Sequence, residues 1–233
     1  MDLRSALACL VVVLGPVTGS ADGPERPGGA QDWPLVGISD FESQGLEGWT
    51  FTDPGAWRIT EVDGRKVLEQ HKRSDYQPEV RSPLNIALVE DLQVGSFKMD
   101  LEVRSTTRDY GHRDLCLFFG HQDPSHFYYV HLGKEADPHA HSIFLVDGEP
   151  RVSIAKERTD GTPWTDDWHR VRLVRDIEDG TIAVYFDDME TPIMTTEDKT
   201  FGAGRIGVGS FDDSGQFRNI RIWGNKGGRP AAE

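Results

Sequence analysis

Residues 95–104 set the pattern for the whole chain. Phe97, Met99, Leu101 and Val103 alternate with Lys98, Asp100, Glu102 and Arg104. Side chains two apart share one face of an extended strand, so this run predicts a strand with one dry and one wet face. Shorter runs of the same kind cover residues 48–52, 56–60, 66–70, 151–155, 168–174, 181–186, 205–210 and 217–223. Residues 115–119, 127–132 and 142–146 are apolar at nearly every position, which predicts central strands covered on both faces. Turn signals fall between the runs, at Asp63-Gly64, Asp147-Gly148 and Asp179-Gly180. Only residues 85–92 suggest a turn of helix. Many strands at hairpin spacing, without the helical crossovers that parallel sheets need, predict an all-β fold: a two-sheet antiparallel β-sandwich of jelly-roll type.

The N-terminus departs from this pattern. Arg4 precedes an apolar run over residues 6–14, which breaks at Gly15-Pro16 and passes into small residues. This order predicts a signal peptide over residues 1–21 and a secreted or periplasmic protein. The run is shorter than the roughly 20 residues of a membrane span, so no membrane insertion is expected. Cys9 lies inside the apolar run rather than after it, which argues against a lipid anchor. Residues 22–36 are rich in Gly, Pro and charge and predict a disordered linker. The sandwich is expected over residues 37–224, with a flexible tail at 225–233.

The chain has 39 acidic and 25 basic side chains, a formal net charge of −14. That sign opposes a phosphate backbone and excludes nucleic acid as the expected partner. Beyond the signal segment only Cys116 remains, so no intramolecular disulfide can form; within its apolar run it reads as a small buried hydrophobe.

Several stretches resemble one superfamily. Asp40-Phe41-Glu42 followed by Gly48-Trp49 resembles the opening strand of many concanavalin A-like lectin/glucanase domains. Residues 168–175, WHRVRLVR, resemble their "W-H-x-V-R-x-V-x" strand, and the next run resembles their "I-x-V-Y-x-D" hairpin strand. Residues 204–209 and 217–222 are similar to their closing strands. Within the superfamily the chain looks closest to exported bacterial domains of the 3-keto-disaccharide hydrolase type. The resemblance covers residues 38–223 and implies fold rather than reaction, because the motifs mark turns and core positions. It also implies a structural calcium joining the N-terminal segment to the last strands, with Asp40 or Glu42 pairing with Asp212 or Asp213.

Candidate chemistry concentrates in residues 109–141, which hold six of the eight histidines. Tyr, His and Arg together suit sugar: rings stack on the C–H face of a pyranose while Arg and His donate to its hydroxyls. The expected ligand-binding residues are Arg81, Asp109, Arg113, Asp114, His121, His126, Tyr129, His131 and His141, on a concave sheet face, with a polysaccharide or oligosaccharide as partner. On the central strand Phe127, Tyr129 and His131 share a face. His121-x-Asp123-x-x-His126 and His139-x-His141 offer metal donors, but Pro124 and Pro138 put most of them in turns. The "E-x-D-x-x-E" pair of sandwich glucanases is absent. Asp100 and Glu102 alternate on a wet face, where a solvated surface is the simpler role. A lyase could use Arg81 or Arg113 to neutralise a uronate and Tyr129 or His131 to move a proton. Trp49, Trp57, Trp168 and Trp223 read as core, whereas Trp164 lies in a polar loop where it would stack on a ligand or pack over a sheet edge. The leading expectation is a glycan-binding sandwich; a carbohydrate-active enzyme and a structural module are the alternatives.

Overall fold

The computed structural model of the protein describes residues 33–39 and 41–226. The expected signal peptide, most of the linker and most of the tail lie outside the described residues, as does Asp40. In chain order the strands are β1 (Leu35–Ile38), β2 (Trp49–Phe51), β3 (Trp57–Val62), β4 (Arg65–Gln70) and β5 (Asn85–Ser105). Then come β6 (Cys116–Asp123), β7 (His126–His131), β8 (Ser142–Asp147), β9 (Val152–Ser153) and β10 (Glu157–Arg158). The last are β11 (His169–Arg175), β12 (Thr181–Phe186), β13 (Met194–Glu197), β14 (Gly204–Ser210) and β15 (Gly215–Lys226). One 3-10 turn over Pro54–Ala56 is the only helical element among the described residues, and none is long and apolar enough to cross a membrane.

All pairings are antiparallel, and the strands form two layers joined by β5. Its first part pairs with β2 and β14; its second part, from Phe97 onward, pairs with β11 and β15. The change of layer falls between Val94 and Phe97, just after a bulge against β14 that spans Asp91, whose φ of 54° is left-handed. The first layer runs β2, β5, β14, β6, β7, β8, β9. The second runs β10, β13, β12, β11, β5, β15, with β1 and β4 on β15 and β3 outside β4. The core lies between them: Phe97, Leu101, Leu173 and Val184 of the second layer belong to one apolar cluster with Leu117, Phe119, Val130 and Val208 of the first. Phe97 meets Phe119 edge-on across it, ring centres 6.0 Å apart.

Residues 85–92 form a strand, not a helical turn. Ile86 and Leu88 face one way and Ala87 the other, and the ladders to β2 and β14 satisfy their backbone groups. Close approach fixes β14 as well: a side chain at Gly209 would place its first carbon 1.8 Å from the Asn85 carbonyl oxygen. β1 begins at Leu35, inside the segment read as linker, because it pairs with the end of β15.

Candidate functional site

The two layers carry very different outer faces. On the first layer, Cys116 and Phe118 of β6, Phe127 and Tyr129 of β7, Phe144 and Val146 of β8, and Ile86 and Leu88 of β5 form a second apolar cluster. Segment 71–84 crosses outside it. Val80 packs against the cluster, the Arg81 carbonyl accepts from the Arg151 N–H at 3.2 Å, and the Ser125 hydroxyl reaches Glu79 at 3.5 Å. A sheet face this apolar has to be shielded from water; Val80 of this segment packs on it, and the Arg151 guanidinium lies over Tyr129 and Phe144.

Most of the expected sugar ligands are sealed beneath or beside that cover. Arg113, Asp114, Tyr129, His131 and His141 are at most 3% exposed. Each is held by protein partners. The Arg113 guanidinium donates to the Ser105 and Thr165 carbonyls and to the Asp166 carboxylate, at 2.9–3.0 Å. Tyr129 bonds Arg151 through its hydroxyl and stacks on Phe144. Both ring nitrogens of His141 lie 3.0 Å from threonine hydroxyls, those of Thr159 and Thr162. His121 stacks on Phe127 at 5.3 Å and is also buried. Burial, with Arg205 nearby, lowers its pKa to about 4; burial first and Arg158 second do the same to His141. Asp213 moves the other way, pushed up to about 6 by burial and by Asp114 beside it. Three expected residues lie at the surface or rim and do not converge: Arg81, Asp109 (paired with Lys134 and Arg113) and His126 (paired with Asp123 at 2.8 Å).

The expected calcium ligands also separate. Glu42 accepts the Lys66 N–H at 2.7 Å, and no group of three or more candidate ligands among the described residues includes it. Asp212 groups instead with Asp114 and Asp213.

The outer face of the second layer is open and polar over β11, β5 and β15, and apolar where Val174, Ala183 and Tyr185 pack with Trp33 and Met189. β11 turns Arg170 and Arg172 outward, β5 turns Lys98, Asp100, Glu102 and Arg104 outward, and β15 adds Arg218, Arg221 and Trp223. A bulge in β15 makes the last set possible: Arg218 pairs with Glu102 and Arg221 with Asp100, so three steps on β15 match two on β5. Asn219, at φ 54°, absorbs the extra residue and brings both arginines to one face. A groove of about 330 Å³ lies there, lined by Arg65, Asp100, Glu102, Arg170, Arg221 and Trp223 among others. A second recess of about 220 Å³ shares Arg65 and Asn219 with it.

Pairing within this face is selective. Arg172 forks onto Asp100 at 2.7 and 2.8 Å, and Arg218 holds Glu102 at 2.6 Å. Both carboxylates are therefore ion-paired. Lys98 stands 4.1 Å over the Trp223 ring, and Arg218 stands 4.0 Å over Trp168. Arg65, Arg170 and Arg221 are exposed, and their guanidinium groups have no ion-pair or hydrogen-bond partner among the described residues.

Two tryptophans therefore sit where the sequence did not place them. Trp168 and Trp223 are half-exposed on this outer face, whereas Trp164 is buried and donates to the Leu132 carbonyl at 2.6 Å. The signal for the first two was present. Trp168, Arg170 and Arg172 alternate with inward His169, Val171 and Leu173, and Arg221 and Trp223 alternate with Ile220 and Ile222.

No family model and no curated protein sequence matches the chain. Solved structures do. The carbohydrate-binding module CBM66 from Bacillus subtilis aligns at 14% identity over 76% of this chain and 95% of its own, with a TM-score of 0.55. Domain 4 of AbnA, a GH43 extracellular arabinanase from Geobacillus stearothermophilus solved with arabinotriose, aligns at 14% identity over 84% of this chain and 95% of its own, with a TM-score of 0.55. The Emp47p carbohydrate recognition domain aligns at 12% identity over 84% of this chain and all of its own (100%), with a TM-score of 0.52. At these identities the likeness is one of fold: the chain is a β-sandwich, as those domains are.

Proposed function

We propose that this chain is an exported glycan-binding module that holds an acidic saccharide in the open groove across β11, β5 and β15. One observation carries the reading: three exposed guanidiniums, Arg65, Arg170 and Arg221, unpaired among the described residues, converge on one groove beside Trp223 in a chain of net charge −14. Arginine forks match carboxylate geometry, and a charge-assisted hydrogen bond contributes about 1.5–3 kcal/mol. Trp223 offers a ring to stack on a pyranose. The Lys98 cation over it is a half-exposed contact worth about 1 kcal/mol, so a sugar ring can displace it. The recess that continues past Arg65 and Asn219 gives a polymer somewhere to run. Asp100 and Glu102 are both tied to arginines, which favours binding over turnover.

Affinity electrophoresis of the purified protein tests this. Gels containing polygalacturonate or alginate should retard the protein, and a neutral β-glucan should not. The double variant Arg170→Ala/Arg221→Ala should lose about tenfold or more in affinity, as one charge-assisted bond or more predicts. Absence of retardation by every acidic glycan overturns the proposal, and release of reducing ends from the bound polymer moves it to a hydrolase.

A further inference from the structure

Across the molecule from the groove, the sealed face of the first layer contains three donor atoms of three kinds. Cys116 and His131 stand directly opposite each other on β6 and β7, and Asp114 precedes Cys116 by two residues and so turns to the same side. Their ligand atoms all lie within 4.8 Å of one another, and all three residues are buried. His131 Nε2 is 3.3 Å from Asp114 Oδ2, and Cys116 Sγ is 3.3 Å from the same oxygen.

The imidazole is the informative member. Its Nδ1 lies 3.1 Å from the His139 carbonyl oxygen, which can only accept, so Nδ1 carries the hydrogen. Arg151 also approaches Nδ1, but at 3.4 Å, too long for a strong bond. In the neutral ring this leaves Nε2 with a bare lone pair. It is buried, it makes no hydrogen bond, and it faces a carboxylate oxygen. Two electron pairs facing each other out of water need a positive species between them. With a thiol on the third side, a metal cation fits that role.

The spacings suit zinc. Ligands about 2.0–2.1 Å from a tetrahedral ion lie roughly 3.3–3.4 Å apart, and a sulfur at about 2.3 Å lies slightly farther from its neighbours. The surrounding frame is also that of a metal site. A ligating histidine usually gives its other N–H to a carbonyl, as His131 does to His139. Asp114 Oδ2 accepts the Phe211 N–H at 2.9 Å, the Asp114 N–H donates to Asp213 Oδ2 at 2.9 Å, and the His131 ring stacks on Phe211. Sulfur and imidazole donors select against calcium, which takes oxygen.

We propose that Asp114, Cys116 and His131 form a buried zinc site on the outer face of the first layer. Binding replaces the thiol proton, which leaves to solvent, by a zinc–sulfur bond. The fourth position lies on the side of Asp212 and Asp213, whose ligand atoms group with that of Asp114.

Full-length protein, unfolded with chelator and refolded with zinc, cobalt, calcium or no metal, tests the proposal. Zinc should be retained at one ion per chain after desalting and should raise Tm; calcium should do neither. Cobalt should give a thiolate-to-metal charge-transfer band in the near ultraviolet, absent from Cys116→Ser, and His131→Gln should weaken cobalt binding at least tenfold. A wild-type protein with the same Tm with and without zinc, no retained ion and no cobalt band overturns the site, whether or not the variants fold. A cobalt band that persists in Cys116→Ser also overturns it.

Discussion

The outer faces of the two layers are both built from antiparallel strands, yet one is closed and the other largely open. On the first layer Phe118, Phe127, Tyr129 and Phe144 face outward, and segment 71–84 has to cover them. On the second layer the outward positions at the centre of β5, β11 and β15 hold Arg, Lys, Asp, Glu and Trp and stay open among the described residues, while Val174 at the end of β11 is buried with Ala183, Tyr185 and Trp33. The difference lies in single alternate positions. β6 and β7 are apolar on both faces; β5 beyond Phe97 is apolar only inward. A face that excludes water supplies stability and holds groups in fixed protonation states. A face that keeps its water can exchange it for a ligand.

The sharpest way to break this comparison is to empty the closed face. Phe118→Ala should cost about 3–5 kcal/mol, the usual range for a buried phenylalanine, read as a fall in the urea midpoint at unchanged m-value. If the loss is below 1 kcal/mol, segment 71–84 is not packed as described.

A proton reaches the same face more gently. His121 stays neutral when folded down to about 4, whereas in the unfolded chain it titrates near its ordinary 6.5. As pH falls from 6.5, the unfolded state takes up the proton first. This contribution to stability is therefore complete above 6.5 and is lost between 6.5 and 4, by roughly 3 kcal/mol. Equilibrium unfolding across that window should show the slope, and His121→Gln should reduce it.

Changes on the open face should scarcely register in stability. Trp223→Ala should lower Tm by only a few degrees, because the ring is half-exposed, while weakening retention on an acidic glycan. Loss of binding together with collapse of the fold would show that Trp223 belongs to the core. Smallest of all, Asp100→Asn should change stability by about 1 kcal/mol or less, as measured for part-exposed ion pairs, and the effect should shrink further in high salt.

The alternation in residues 95–104 and the doubly apolar runs at 115–119 and 127–132 made the strands and the sandwich legible, because burial of one or both faces imposes a period of two on the sequence itself. The same period correctly put Phe127, Tyr129 and His131 on one side of β7, and it held the information that Trp168 and Trp223 share a side with the arginines. What it could not say was which outward face would meet water. That depended on where residues 71–84 crossed, a contact between segments far apart in the chain. The helical turn expected at residues 85–92 yielded for the same reason, to ladders with β2 and β14 that no local pattern encodes. Periodicity is a local consequence of burial and so is written along the chain. The closure of Asp114, Cys116 and His131 into one cluster, and the exposure of Arg65, Arg170 and Arg221 in one groove, are consequences of register and crossing, which only the folded structure decides.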